Sequence, residues 1–187
     1  IRGISERKAM EISEQVSEKR DMRKAMLFLQ QYGISNTLGA RIYKQYGTRM
    51  YGVIENNPYQ MAEDISGIGF QIADEIAAKA GIHTDSDFRV RSGILYILTQ
   101  ISQEGHVYLP KTELIIRTVE LLGVSQNLVE KHIMDLAVDR KLMLKENQEE
   151  VCVYSMSAYY TELNTAKMLH DLNISCETEE KKIEKKD

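Results

Sequence analysis

Three segments of this chain align without a gap: GISERKAMEI at 3–12, GISNTLGARI at 33–42 and GIGFQIADEI at 67–76. Each opens with Gly-Ile and continues with Ser or Gly. Each then places a small residue six positions after the first Gly (Ala9, Gly39, Ala73) and an Ile nine positions after it (Ile12, Ile42, Ile76). Agreement at fixed offsets in three places marks a tandem structural repeat. The chemistry at each offset points to one unit, a turn leading into a helix. The leading Gly supports a backbone conformation that a β-carbon would penalise and lets another chain approach closely. The Ile after it can point inward as a plug. Ser5 and Ser35 are good N-cap residues and Gly69 an acceptable one. The small residue allows a close helix crossing, and the Ile three positions on lies on the same helical face.

Helices leading into the second and third turns are also legible. Met22, Ala25, Met26 and Leu29 form an i, i+3, i+4, i+7 stripe ending at Gly33, the pattern of a half-buried helix. Asn57-Pro58 reads as an N-cap followed by proline at the first helical position, opening a short helix through Met61, Ala62 and Ile65. After the third turn, Ile72, Ala73, Ile76, Ala77 and Ala80 fall near one face. The leading helix of the first copy is expected upstream of Ile1. A helix start that follows such a turn suits an anion, because its first amides lack intrahelical acceptors and the dipole favours negative charge.

This unit resembles the helix-hairpin-helix, a motif that grips a DNA phosphate backbone without reading sequence. The resemblance assigns Gly3, Ile4, Ser5, Gly33, Ile34, Ser35, Gly67, Ile68 and Gly69 to DNA-contacting hairpins. Many DNA-gripping versions carry cations just after the hairpin, and Arg7 and Lys8 supply them in the first copy. Thr37-Leu38 and Gln71-Ile72 stand at the equivalent places in the other two. Whether those two hairpins touch DNA or merely pack together stays open at this point.

From Asp87 the punctuation changes. Val90, Ile94, Ile97, Leu98 and Ile101 form an apolar stripe closed by Gly105. A β-prone His106–Leu109 stops at Pro110. A second helix carries Leu114, Ile115, Thr118, Val119 and Leu122, and Ser125 opens a third with Val129, Ile133, Leu136 and Ala137. LMLKE at 142–146 and VCVYS at 151–155 flank a polar turn and are expected to pair. Helix, strand, helix, helix and two-stranded wing is the order of a winged helix. Glu130, Lys131, Asp135 and Asp139 on its third helix, with Glu146, Glu149 and Glu150 on the wing, would repel phosphates. A structural or protein-contact use is therefore favoured over groove reading. One more helix is expected over 158–172. The fold class is mainly α: a tandem helix-hairpin-helix domain at 1–83, a winged-helix-like domain with a small β-hairpin at 84–157, and a helix with a charged linker at 158–187.

Composition narrows the function. At 43% hydrophobic residues the chain can build a core, and no apolar run approaches the ~20 residues that span a bilayer. With no apolar leader, a cytoplasmic location without membrane contact is expected. Two cysteines far apart and four scattered histidines offer neither a disulfide framework nor a zinc set. The formal charge of −4 is unevenly spread, with 11 Lys and Arg against 10 Asp and Glu in residues 1–83 and 8 against 11 in 84–157. Any polyanion site is therefore expected in the first part. There is no GxxxxGK[ST] loop, nucleophile elbow or HExxH, so no catalytic, cofactor-binding or metal-ligating residue is assigned.

The phrases FLQQYGIS (28–35), IYKQYG (42–47), ENNPYQMAEDISGIGFQIADEIA (55–77) and SGILYILTQISQEGHVYLP (92–110) look like the N-terminal region of the long RecD-like superfamily 1 helicases. The resemblance implies an accessory region of a bacterial ATP-dependent helicase that moves 5′ to 3′ on DNA in repair or recombination. Its partners would be DNA, single-stranded or at a junction, and its own motor domain. ATP and Mg would serve the full-length protein and not these residues. A scaffold or protein-docking module that does not itself bind DNA is the alternative. A helix-hairpin-helix protein of excision repair or junction processing fits the repeats but explains EGHVYLP less well.

Overall fold

The computed structural model describes residues 5–147 and 150–183, the last ten of them as backbone alone. Gly3, Ile4 and Glu149 therefore lie outside the described residues. The chain is mainly α and divides into two compact units, residues 1–89 and 90–187.

In the first unit α1 (Glu6–Gln31) is followed by α2 (Asn36–Tyr46), a 3-10 turn at Gly47–Arg49, α3 (Met50–Asn56), α4 (Gln60–Asp64) and α5 (Phe70–Lys79). Ala25, Leu29, Ile34, Ile42, Tyr46, Met50, Ile54, Met61, Ile65, Ile68 and Ile76 share one core. Apart from Met22 and Ile72, which are exposed, the expected helical stripes of the second and third copies converge, and the small residues of those two copies work as the repeat implies. A β-carbon on Gly39 would lie 3.0 Å from Met26 Sδ and 3.1 Å from a Leu29 methyl, and Ala73 is fully buried.

Four local readings are corrected. Residues 6–31 form one continuous helix, because no Gly or Pro separates the first copy's helix from the stripe leading to Gly33. Ala9 and Ile12, buried by analogy with the other copies, are exposed, as is every residue from Ser5 to Lys24. The helix after Asn57-Pro58 begins at Gln60 instead of Pro58. The Asn57, Pro58 and Tyr59 carbonyls accept from the amides three residues on, a 3-10 turn that delays the α-helical register. Ile72 faces solvent, since the buried face of α5 runs through Phe70, Ala73, Ile76 and Ala77.

The second unit contains most of α6 (Asp87–Gln103), then β1 (Tyr108–Pro110), α7 (Lys111–Leu122), α8 (Gln126–Val138), β2 (Leu142–Asn147), β3 (Glu150–Ser155) and α9 (Met156–Ile183). The strands form an antiparallel sheet in the order β1-β3-β2, with Leu109 opposite Val153 and Leu144 opposite Val153 on its other side. The hydrophobic VCVYS strand takes the centre and Pro110, which has no N–H to donate, sits on an edge strand. Ile94, Leu114, Ile133, Leu136, Leu142 and Val153 are fully or almost fully buried. Ser125 stands at the N-cap of α8, but its side chain makes no capping bond. The last helix starts two residues earlier and runs farther than 158–172.

Candidate functional site

Hairpins two and three are built alike. At the first, the Gly33 amide donates to Gln30 O at 3.0 Å and the Ile34 amide to Leu29 O at 3.2 Å, closing α1 with Gly33 at φ +78°. At the second, the Ile68 amide donates to Ile65 O at 3.1 Å and Gly67 sits at φ +94°. These are the left-handed turns that favour glycine. Ile34 and Ile68 plug inward, at 5% and 3% exposure, while Gly33, Ser35, Gly67 and Gly69 are exposed. The apolar plug anchors each turn and leaves its backbone facing out.

Ser35 caps α2 by accepting from the Leu38 amide at 3.4 Å, and Gly69 opens α5 with extended backbone. The amides of Asn36, Thr37, Gln71 and Ile72 lie in first helical turns, where no intrahelical acceptor exists. Ser5 likewise caps α1, accepting from the Lys8 amide at 3.3 Å. Arg7 is fully outward and pairs with Glu11 one turn on, at 3.6 Å, so part of its charge is offset.

Folding brings hairpins two and three together, while Arg7 and Lys8 lie at the far end of α1. At ~1.5 Å rise per residue, Lys8 stands roughly 30 Å along α1 from Leu29, which packs beneath hairpin two. Arg7 and Lys8 therefore cannot attend the same phosphate as the other two hairpins.

The cations that do reach those hairpins come from elsewhere in the chain. Arg41 on α2 donates from Nη1 to Ser66 O at 3.0 Å, just before Gly67. Lys79 on α5 donates to Tyr32 O at 3.0 Å, just before Gly33. Each motif thus holds the turn carbonyl of the other. A search for Lys or Arg directly after each hairpin misses this exchange. The only trace in sequence is that both cations sit on the exposed face of a motif's second helix.

Beneath the hairpins two tyrosines are tied to carboxylates. Tyr46 OH donates to Asp64 Oδ2 at 2.7 Å and Tyr59 OH to Asp74 Oδ1 at 2.6 Å. Burial, then the neighbouring carboxylate, pushes both phenols well above the usual tyrosine range. Arg89 Nε and Nη2 donate to the two oxygens of Asp74 at 2.8 and 3.1 Å. Burial alone would raise the Asp74 carboxyl, but bonds from Arg89 and Tyr59 and the Arg89 charge outweigh it and hold the pKa below the usual carboxylate value.

In the second unit Lys131, Asp139, Glu146 and Glu150 are exposed, and Glu130 and Asp135 are half-buried. Arg91 pairs with Asp139, and Arg117 with Glu113 at 2.5 Å. His132 is buried, with Nδ1 at 3.4 Å from Asp135 Oδ2. Burial also pushes the Cys152 thiol up. Among the described residues no group of His, Cys, Asp and Glu could hold a metal ion, and no helix is long and apolar enough to cross a membrane.

Residues 18–108 match the family model of the HHH domain of the ATP-dependent RecD2 DNA helicase. The match takes in hairpins two and three and ends at β1, leaving Ser5, Arg7 and Lys8 outside it.

Proposed function

The chain carries, at residues 18–108, the helix-hairpin-helix domain of the RecD2 DNA helicases, an N-terminal region of a RecD-like helicase, and from that premise we propose that it holds DNA for the motor without reading sequence. The observation that carries this reading is the shared construction of hairpins two and three. Each has a buried isoleucine that leaves an exposed turn with a left-handed glycine facing outward, at the start of a helix whose field favours phosphate. Backbone amides and exposed cations recognise a phosphodiester whatever base it carries.

We assign residues 1–83 to the hairpins, 84–157 to a winged helix, and 158–187 to a connection toward a 5′ to 3′ motor that uses ATP and Mg. The setting is repair or recombination in the bacterial cytoplasm, with single-stranded DNA or a junction as the bound form. The carboxylates exposed at Asp139, just after α8, and at Glu146 and Glu150 on the β2–β3 wing favour a protein-contacting element over a groove reader.

The test is fluorescence anisotropy of the 187-residue chain with labelled single-stranded, duplex and forked DNA of several sequences. Binding that varies little with sequence and falls steeply with salt is expected. Absence of binding at low salt favours the scaffold reading instead.

A further inference from the structure

We propose that Arg41 and Lys44 form the phosphate site of hairpin three, taking a backbone phosphodiester in the open cleft they line with Gln45, Asp64, Ile65 and Ser66. This rests on the DNA-holding reading and adds the residues and the ligand group.

Three residues apart on α2, the two side chains share a face. Buried Ile42 and Tyr46 pin the opposite side of that helix into the core, so Arg41 and Lys44 are exposed. Arg41 is also aimed. Its Nη1 donates to Ser66 O at 3.0 Å, and a β-carbon on Gly67 would lie 3.0 Å from that same nitrogen. A guanidinium presents five N–H donors in a rigid fork. The bond to Ser66 fixes the fork beside hairpin three and leaves further donors for phosphate oxygens.

Lys44 pairs with no carboxylate among the described residues and adds a second positive charge one helical turn on. Asp64, the one carboxylate of the lining, is engaged by Tyr46 OH at 2.7 Å and Gln60 Nε2 at 3.2 Å. The lining therefore carries two cations against one hydrogen-bonded anion. Gln71 occupies the place where the first copy has a cation, and α2 supplies across space what is missing along the chain. An open cleft of this kind suits a phosphate within a passing backbone better than an enclosed nucleotide.

The same anisotropy measurement, on the 187-residue chain with a labelled duplex and its single strand from low to physiological salt, tests the site. Lys44→Glu is expected to weaken binding about fivefold or more and to lower the logarithmic salt slope by about one, with thermal unfolding unchanged. Arg41→Lys, which keeps the charge and loses the fork, is expected to weaken binding by a smaller factor. If both variants bind as the unmodified chain does, while Arg7→Glu with Lys8→Glu abolishes binding, this site is overturned and the DNA-holding reading survives. If the unmodified chain binds no DNA at low salt, both fall together.

Discussion

Gly67 carries two duties at one Cα. It holds φ +94° to close the turn, and its missing β-carbon leaves room for the guanidinium that grips Ser66 O. Gly67→Ala is expected to lower stability by about 1 kcal/mol or more, read by thermal unfolding, because both the left-handed strain and the crowding of Arg41 act in the same direction. Asp74 gives a pH prediction. Its folded pKa lies below its unfolded value, so the stabilisation is complete above the unfolded pKa of about 3.9 and is lost as pH falls through the lower folded one. Asp74→Asn is therefore expected to cost about 2 kcal/mol at neutral pH and to flatten the loss of stability that the unmodified protein shows below about pH 4. Urea unfolding across that range reads both effects. Neither role was legible in the chain, since Asp74 meets Tyr59 and Arg89 only across three different elements.

The hairpins were the most legible elements, and the reason is physical. A left-handed glycine followed by an inward isoleucine is a local requirement, written in adjacent residues at 33–34 and 67–68. The fate of the first copy depended on distant contacts. Ala9 and Ile12 have the repeat's spacing yet remain exposed, because among the described residues no helix packs against them. An isolated helical stretch is marginal in water, so amide hydrogen exchange is expected to be fast over roughly the first half of α1 and slow from Ala25 onward, where Ala25 and Leu29 enter the core. Uniform protection along α1 would contradict this account. The turn at Asn57-Pro58 shows a smaller limit. Cap and proline signals located a helix start, but the α register settled two residues later.

At the scale of the molecule, a net charge of −4 disfavours bulk attraction to DNA, so the proposed DNA contact depends on a local site. The two units have separate cores, one around Ile42 and Ile68 and the other around Ile94 and Ile133. Ile133→Ala should lower the stability of the second unit by about 3 kcal/mol and leave DNA affinity at the hairpins within twofold or so, in binding and unfolding measured on the same protein. A large loss of affinity would show that the second unit shares the site.

Helix stripes, turns and the strand pair could all be read along the chain, because each is written in residues of one continuous stretch. The partners of charged groups could not. Arg41 reaches Ser66, Lys79 reaches Tyr32 and Arg89 reaches Asp74 across 25, 47 and 15 positions. A long, flexible cation is compatible with many acceptors until packing selects one. For that reason the hairpins were visible as a repeat, while the cations beside them emerged only once α2 and α5 were packed against the opposite turns.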